Sequence, residues 1–126
     1  MTTSFNVFAA PPATLHSVVA EIERVFGVTV TRADEEWLGA CLDSARVFVC
    51  ENHPYEADCG MDFPRYPIEV EFSLASPRRA GADEEAARRL FAALQAKGYP
   101  LLLTEDLDQR IDSFEPPREW PLAAPP

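Results

Sequence analysis

Between Thr14 and Phe26 the apolar residues Leu15, Val18, Val19, Ile22 and Val25 or Phe26 recur at i, i+3, i+4, i+7. This is the spacing of one helical face, with Thr14 placed to cap the start and Gly27 to end it. The same period returns over 83–97. There Asp83 is positioned as a cap, Glu84 and Glu85 complement the positive end of the helix dipole, and Glu84–Arg88 and Glu85–Arg89 stand four residues apart. Ala87, Leu90, Phe91 and Leu94 form its buried stripe before Lys97 and Gly98 close it.

A period of two marks the strands. In 68–75, Ile68, Val70, Phe72 and Leu74 alternate with Glu69, Glu71 and Ser73, the pattern of a strand with one face on the core and one face in water. Residues 5–8 and the β-branched run 28–31 read as strands. Glu36 to Leu42 and Ala45 to Glu51 read as a hairpin about Asp43-Ser44, and Tyr99 to Thr104, with its unbroken leucines, as a central strand. Residues 106–114 are expected to make a short helical turn that packs Leu107, Ile111 and Phe114. These elements predict an α+β fold, a two-layer sandwich in which an antiparallel or mixed sheet of about five strands carries both helices on one face, with a ferredoxin-like rhythm and an added hairpin. The expected organisation is a single domain over 1–115 and a Pro-rich tail over 116–126.

Charge narrows the function classes. The net charge of −10 disfavours a nucleic-acid backbone or an anionic membrane as direct partner and points to a basic protein instead. From 34 to 62 the chain holds Asp34, Glu35, Glu36, Asp43, Glu51, Glu56, Asp58 and Asp62 against Arg46 alone. No apolar run approaches the roughly 20 residues of a membrane span. The first residues lack the basic and apolar regions of a secretory signal, so a cytoplasmic location is expected. The three cysteines, Cys41, Cys50 and Cys59, are then expected to be reduced thiols. The near-exclusive use of Arg over Lys, together with abundant Ala and Pro, suggests a GC-rich bacterial genome.

Candidate chemistry concentrates in 52–67, NHPYEADCGMDFPRYP, a long irregular connection of the kind that usually carries function when ordered. Cys50, His53 and Cys59 offer zinc-type donors, yet a structural zinc site needs four, commonly in two close pairs, and the second pair is missing, so no metal or other cofactor is expected. Cys59 follows Asp58, whose charge raises rather than lowers a thiol pKa, which argues against thiol catalysis. No phosphate-binding, dinucleotide-binding or hydrolase signature is present, and no catalytic residue is assigned.

What remains is an acidic loop interleaved with Tyr55, Phe63, Arg65 and Tyr66, the aromatic and arginine side chains that anchor protein interfaces. The expected function is protein binding, most concretely as a bacterial immunity protein or antitoxin that neutralises a basic toxin such as a nuclease. Its expected contact residues are Asp34, Glu35, Glu36, Glu51, His53, Tyr55, Glu56, Asp58, Asp62, Phe63, Arg65 and Tyr66. The alternative is a small-molecule or enzymatic pocket at loop 52–67 built from His53, Asp58, Asp62 and Arg65.

Overall fold

A computed structural model describes residues 4–116, and the expected tail over 116–126 lies outside them apart from Pro116. The strands are β1 Ser4–Ala9, β2 Thr31–Arg32, β3 Leu38–Cys41, β4 Ala45–Glu51, β5 Ile68–Leu74, β6 Leu101–Glu105 and β7 Gln109–Phe114; the helices are α1 Leu15–Phe26 and α2 Ala82–Ala96. One sheet holds all seven strands in the order β2-β3-β4-β5-β1-β6-β7, and every pairing is antiparallel. The α+β class is as expected, with seven strands in place of about five.

Both helices pack on one sheet face. Their stripes meet Val47, Val49, Ile68, Val70, Phe72, Leu101 and Leu103 in a single core that contains Val18, Ile22, Leu90 and Leu94. α1 begins at a capping box in which the Thr14 hydroxyl accepts from the Ser17 N–H at 3.0 Å, and it ends at Gly27, whose φ of 66° lies in the left-handed region that favours glycine. At the start of α2 the sequence reading is corrected: Gly81 is the cap residue, and Asp83 lies inside the first turn, buried, its Oδ1 accepting from the Glu84 N–H at 2.9 Å. An acidic residue next to a helix start serves the dipole equally well from either position, so its presence does not fix the boundary.

Two further boundaries differ from expectation. Val28 and Val30 pack on the core from a connector, and the Val30 N–H donates to the Glu23 carboxylate at 2.9 Å instead of to a neighbouring strand, so pairing starts only at Thr31. The helical turn expected over 106–114 is a hairpin into β7. A register shift at Leu103/Thr104 leaves Ile111 as an extra residue between Arg110 and Asp112, and this bulge puts Ile111 and Phe114 on the same core at a separation of three. The bulge therefore mimics a helical period.

Candidate functional site

The opposite sheet face is filled by other means. Phe8, Ala10 and Leu102 point away from the helices, and loop 52–67 folds over them with Met61, Phe63 and Tyr66 to make a second, smaller core. Phe8 meets the Phe63 ring at 5.0 Å and the His53 ring edge-on at 5.2 Å. His53 fastens the loop to itself: Nε2 lies 2.6 Å from the Tyr66 carbonyl and Nδ1 accepts from the Tyr55 N–H at 3.2 Å. A carbonyl facing Nε2 and an N–H facing Nδ1 suit the tautomer that carries its proton on Nε2.

Beside this core the expected wet face of β5 is corrected. Glu69 is fully buried, and Glu71 and Ser73 are only half-exposed. Across the ladders Glu69 stands between Cys50 and Phe8, and Glu71 between Phe48 and Asn6. Gly39 lies opposite Phe48, whose ring would sit 2.8 Å from any Cβ placed there. Glu69 Oε2 accepts from Asn6 Nδ2 at 2.8 Å and from the Tyr55 hydroxyl at 3.3 Å, while Oε1 meets only the Cys50 thiol, at 3.8 Å. Burial, with the nearby Glu71 charge, pushes the Glu69 carboxyl up to about 7, against the hydrogen bonds that favour its ionised form. Burial and the Glu69 charge push the Cys50 thiol up to about 12 and hold the Tyr55 phenol well above its ordinary value, so both are protonated donors at neutral pH.

Glu69 also lines a cleft of about 480 Å³, together with Arg32, Glu35, Glu36, Trp37, Glu51, His53 and Tyr55 among others. Tyr55 is shared with a second depression that holds Glu56, Asp58 and Phe63, and Asp58 with a third that holds Asp62. The expected acidic residues thus form a continuous band drawn from the β2–β3 connection, the end of β4 and the loop. Glu35, Glu36, Glu51, Glu56, Asp58 and Asp62 are exposed, and none has an ion-pair partner among the described residues.

Other expected contact residues have structural duties. Asp34 accepts from the Glu36 and Trp37 N–H groups, each at 2.8 Å, and so shapes the turn. Phe63 and Tyr66 are buried and pin the loop rather than standing free, because Phe8 and Leu102 give them an apolar floor. Arg65 pairs with Glu115 and lies over the Tyr66 ring, 5.4 Å from its centroid. The pocket imagined from His53, Asp58, Asp62 and Arg65 is not brought together: His53 faces the first cleft, Asp58 and Asp62 the others, and Arg65 turns to Glu115.

Cys50, His53 and Cys59 likewise serve separate contacts, and among the described residues no group of three or more acidic, His or Cys side chains is arranged to hold a metal ion. Local desolvation and the Asp58 carboxylate raise the exposed Cys59 thiol. No helix among the described residues is long and apolar enough to cross a membrane.

Sequence reasoning missed Glu69, Asn6 and Trp37. The available signal was Phe8 and the middle leucine of Leu101–Leu103, both large and apolar at positions whose parity faces away from the helices. No protein-family model matches this chain, and no curated protein or solved structure is similar to it beyond chance.

Proposed function

We propose that this protein acts by binding a basic protein partner through its acidic band, most concretely as an immunity protein or antitoxin that covers the active face of a toxin acting on nucleic acid. The supporting observation is the band itself: exposed carboxylates from three chain segments line adjoining depressions, and among the described residues none of the six takes part in an ion pair. A protein that grips a nucleic-acid backbone must present positive charge, and opposite potentials of this kind accelerate encounter and select the partner. The rings beneath the loop contribute rigidity: with Tyr55, Phe63 and His53 packed on Phe8, the carboxylates of 56–62 ride on a loop that is already shaped before contact.

The test is capture of the partner from cells of the source organism, followed by association kinetics at two salt concentrations. The triple change Glu56→Lys, Asp58→Lys, Asp62→Lys should leave the fold intact, slow association about tenfold or more at low salt and weaken its salt dependence. Capture of an acidic partner, or association unchanged by the reversals, would make the band a solvated surface only.

A further inference from the structure

We propose that residues 53–57 form a pH-sensitive strap over Glu69, closed while that carboxyl is protonated and released when it ionises. The inference concerns the loop itself and stands apart from the identity of any partner. Loop 52–67 is seated at one end by Met61, Phe63 and Tyr66, all buried in the second core. Its other end is held more lightly. Pro54, Glu56 and Ala57 are exposed, His53 and Tyr55 are half-buried, and left-handed turns at Asn52 (φ 61°) and Cys59-Gly60 (φ 51° and 75°) bound the segment. Three contacts hold it down: His53 Nε2 lies 2.6 Å from the Tyr66 carbonyl, the Tyr55 N–H donates to His53 Nδ1 at 3.2 Å, and the Tyr55 hydroxyl donates to Glu69 Oε2 at 3.3 Å. Only the last of these reaches the sheet.

What surrounds Glu69 makes its charge costly under the closed strap. It has no exposure to solvent, and β1 offers it Asn6 and Phe8, neither of which titrates. From β5 itself the charged neighbour is Glu71; β4 brings the Cys50 thiol and, at its end, Glu51; the loop brings His53 and Tyr55; across the cleft stand Glu35, Glu36 and Arg32. No cation answers it. Arg32 donates Nη1 to the Asp34 and Glu35 carbonyls, each at 3.1 Å, and Glu69 takes part in none of the ion pairs among the described residues. A carboxylate with neutral donors but neither water nor a cation is unfavourable in a way that the neutral acid is not, and burial accordingly raises this carboxyl despite those donors. Lifting Tyr55 admits water, so ionisation and opening favour each other. Glu56 rides on the strap, and its release therefore reshapes the acidic band as pH rises. His53 acts in the opposite sense: a proton on Nδ1 removes the acceptor of the Tyr55 N–H and loosens the strap as pH falls.

The experiment follows hydrogen exchange of two amides by NMR in the full chain from pH 5.5 to 8, with each rate corrected for the intrinsic pH dependence of exchange. They are the Asn52 N–H, which donates to the Pro67 carbonyl at 2.8 Å, and the Tyr55 N–H. Both should exchange faster than the Leu90 amide of α2, which marks the opening as local, and their protection should fall at least about tenfold across the range. The fall should level off at the pH where the Glu69 carboxyl carbon titrates, and Glu69→Gln should hold protection level within about twofold. If that variant does not fold, Tyr55→Phe serves: the carboxyl midpoint and the levelling-off should move upward together. Protection that stays flat in the unaltered chain, falls equally in Glu69→Gln or follows Leu90 throughout overturns the strap. So does protection lost as pH falls, which assigns control to His53, or a carboxyl midpoint that moves in Tyr55→Phe while the levelling-off stays in place.

Discussion

Beneath the helices the inward positions of β4, β5, β1 and β6 are aliphatic or aromatic except at the strand ends Glu51 and Glu105; one residue along the same strands, the other face carries Asn6, Glu69, Glu71 and Thr104 beside Phe8 and Leu102. Helices satisfy their own backbone and can offer a purely apolar stripe, so nothing polar has to be accommodated under them. A loop cannot do this. Its covering surface brings His53 and Tyr55 along with Phe63 and Tyr66, and the polar groups on that side must satisfy one another. One face therefore holds by packing, and the other by packing plus a hydrogen-bond network whose central member can change charge.

The largest effect should come from the helix-covered face. Leu90→Ala, at a fully buried position, is expected to lower stability by about 2–5 kcal/mol in denaturant unfolding. A loss below about 1 kcal/mol would show that this face does not depend on close packing.

The loop-covered face should differ by responding to pH. The Glu69 carboxyl titrates near 7 in the fold against 4.5 for an unperturbed group, so the folded chain binds its proton more tightly than the unfolded chain does. Stability from this group is complete below about pH 4.5 and is lost as pH rises to about 7, on the order of 3 kcal/mol in all. Unfolding measured from pH 4.5 to 8 should show this fall, and Glu69→Gln should flatten it. An equally steep fall in the variant would assign the dependence to another group.

The smallest effect sharpens the comparison to one hydroxyl. Tyr55→Phe removes the 3.3 Å bond to Oε2, which should cost about 1 kcal/mol above pH 7 and move the Glu69 midpoint, followed through its carboxyl carbon by NMR, further upward. An unmoved midpoint would mean that the hydroxyl does not favour the ionised form.

Much of the helix-covered face was legible because its signals are local: the stripe of α1, the stripe of α2 and the alternation of β5 each repeat within a dozen or so residues. The other face depends on register. That Glu69 lies between Cys50 and Phe8 follows from pairings across three strands, and alternation alone assigns the same parity to a glutamate in water and a glutamate under a loop. The bulge at Ile111 shows a second limit, since one inserted residue converts a period of two into an apparent three. The acidic residues of 34–62 were legible as charge, while the gathering of Glu35, Glu36 and Glu51 at one cleft depends on where the Asp34 turn and the end of β4 meet the loop.

The strand order has a consequence for how the chain comes to be folded. β1 lies between β5 and β6, so a strand synthesised before either of its neighbours pairs on both sides with segments made much later: Phe5 faces Phe72 on one side and Glu105 on the other. The hairpin of β3 and β4 can close early, but the middle of the sheet must wait for β5 and β6 to emerge, and closing so long a span is slow. Until then Val7 and Phe8 have no strand neighbours to shelter them, which leaves β1 open to mispairing while the rest of the sheet is made.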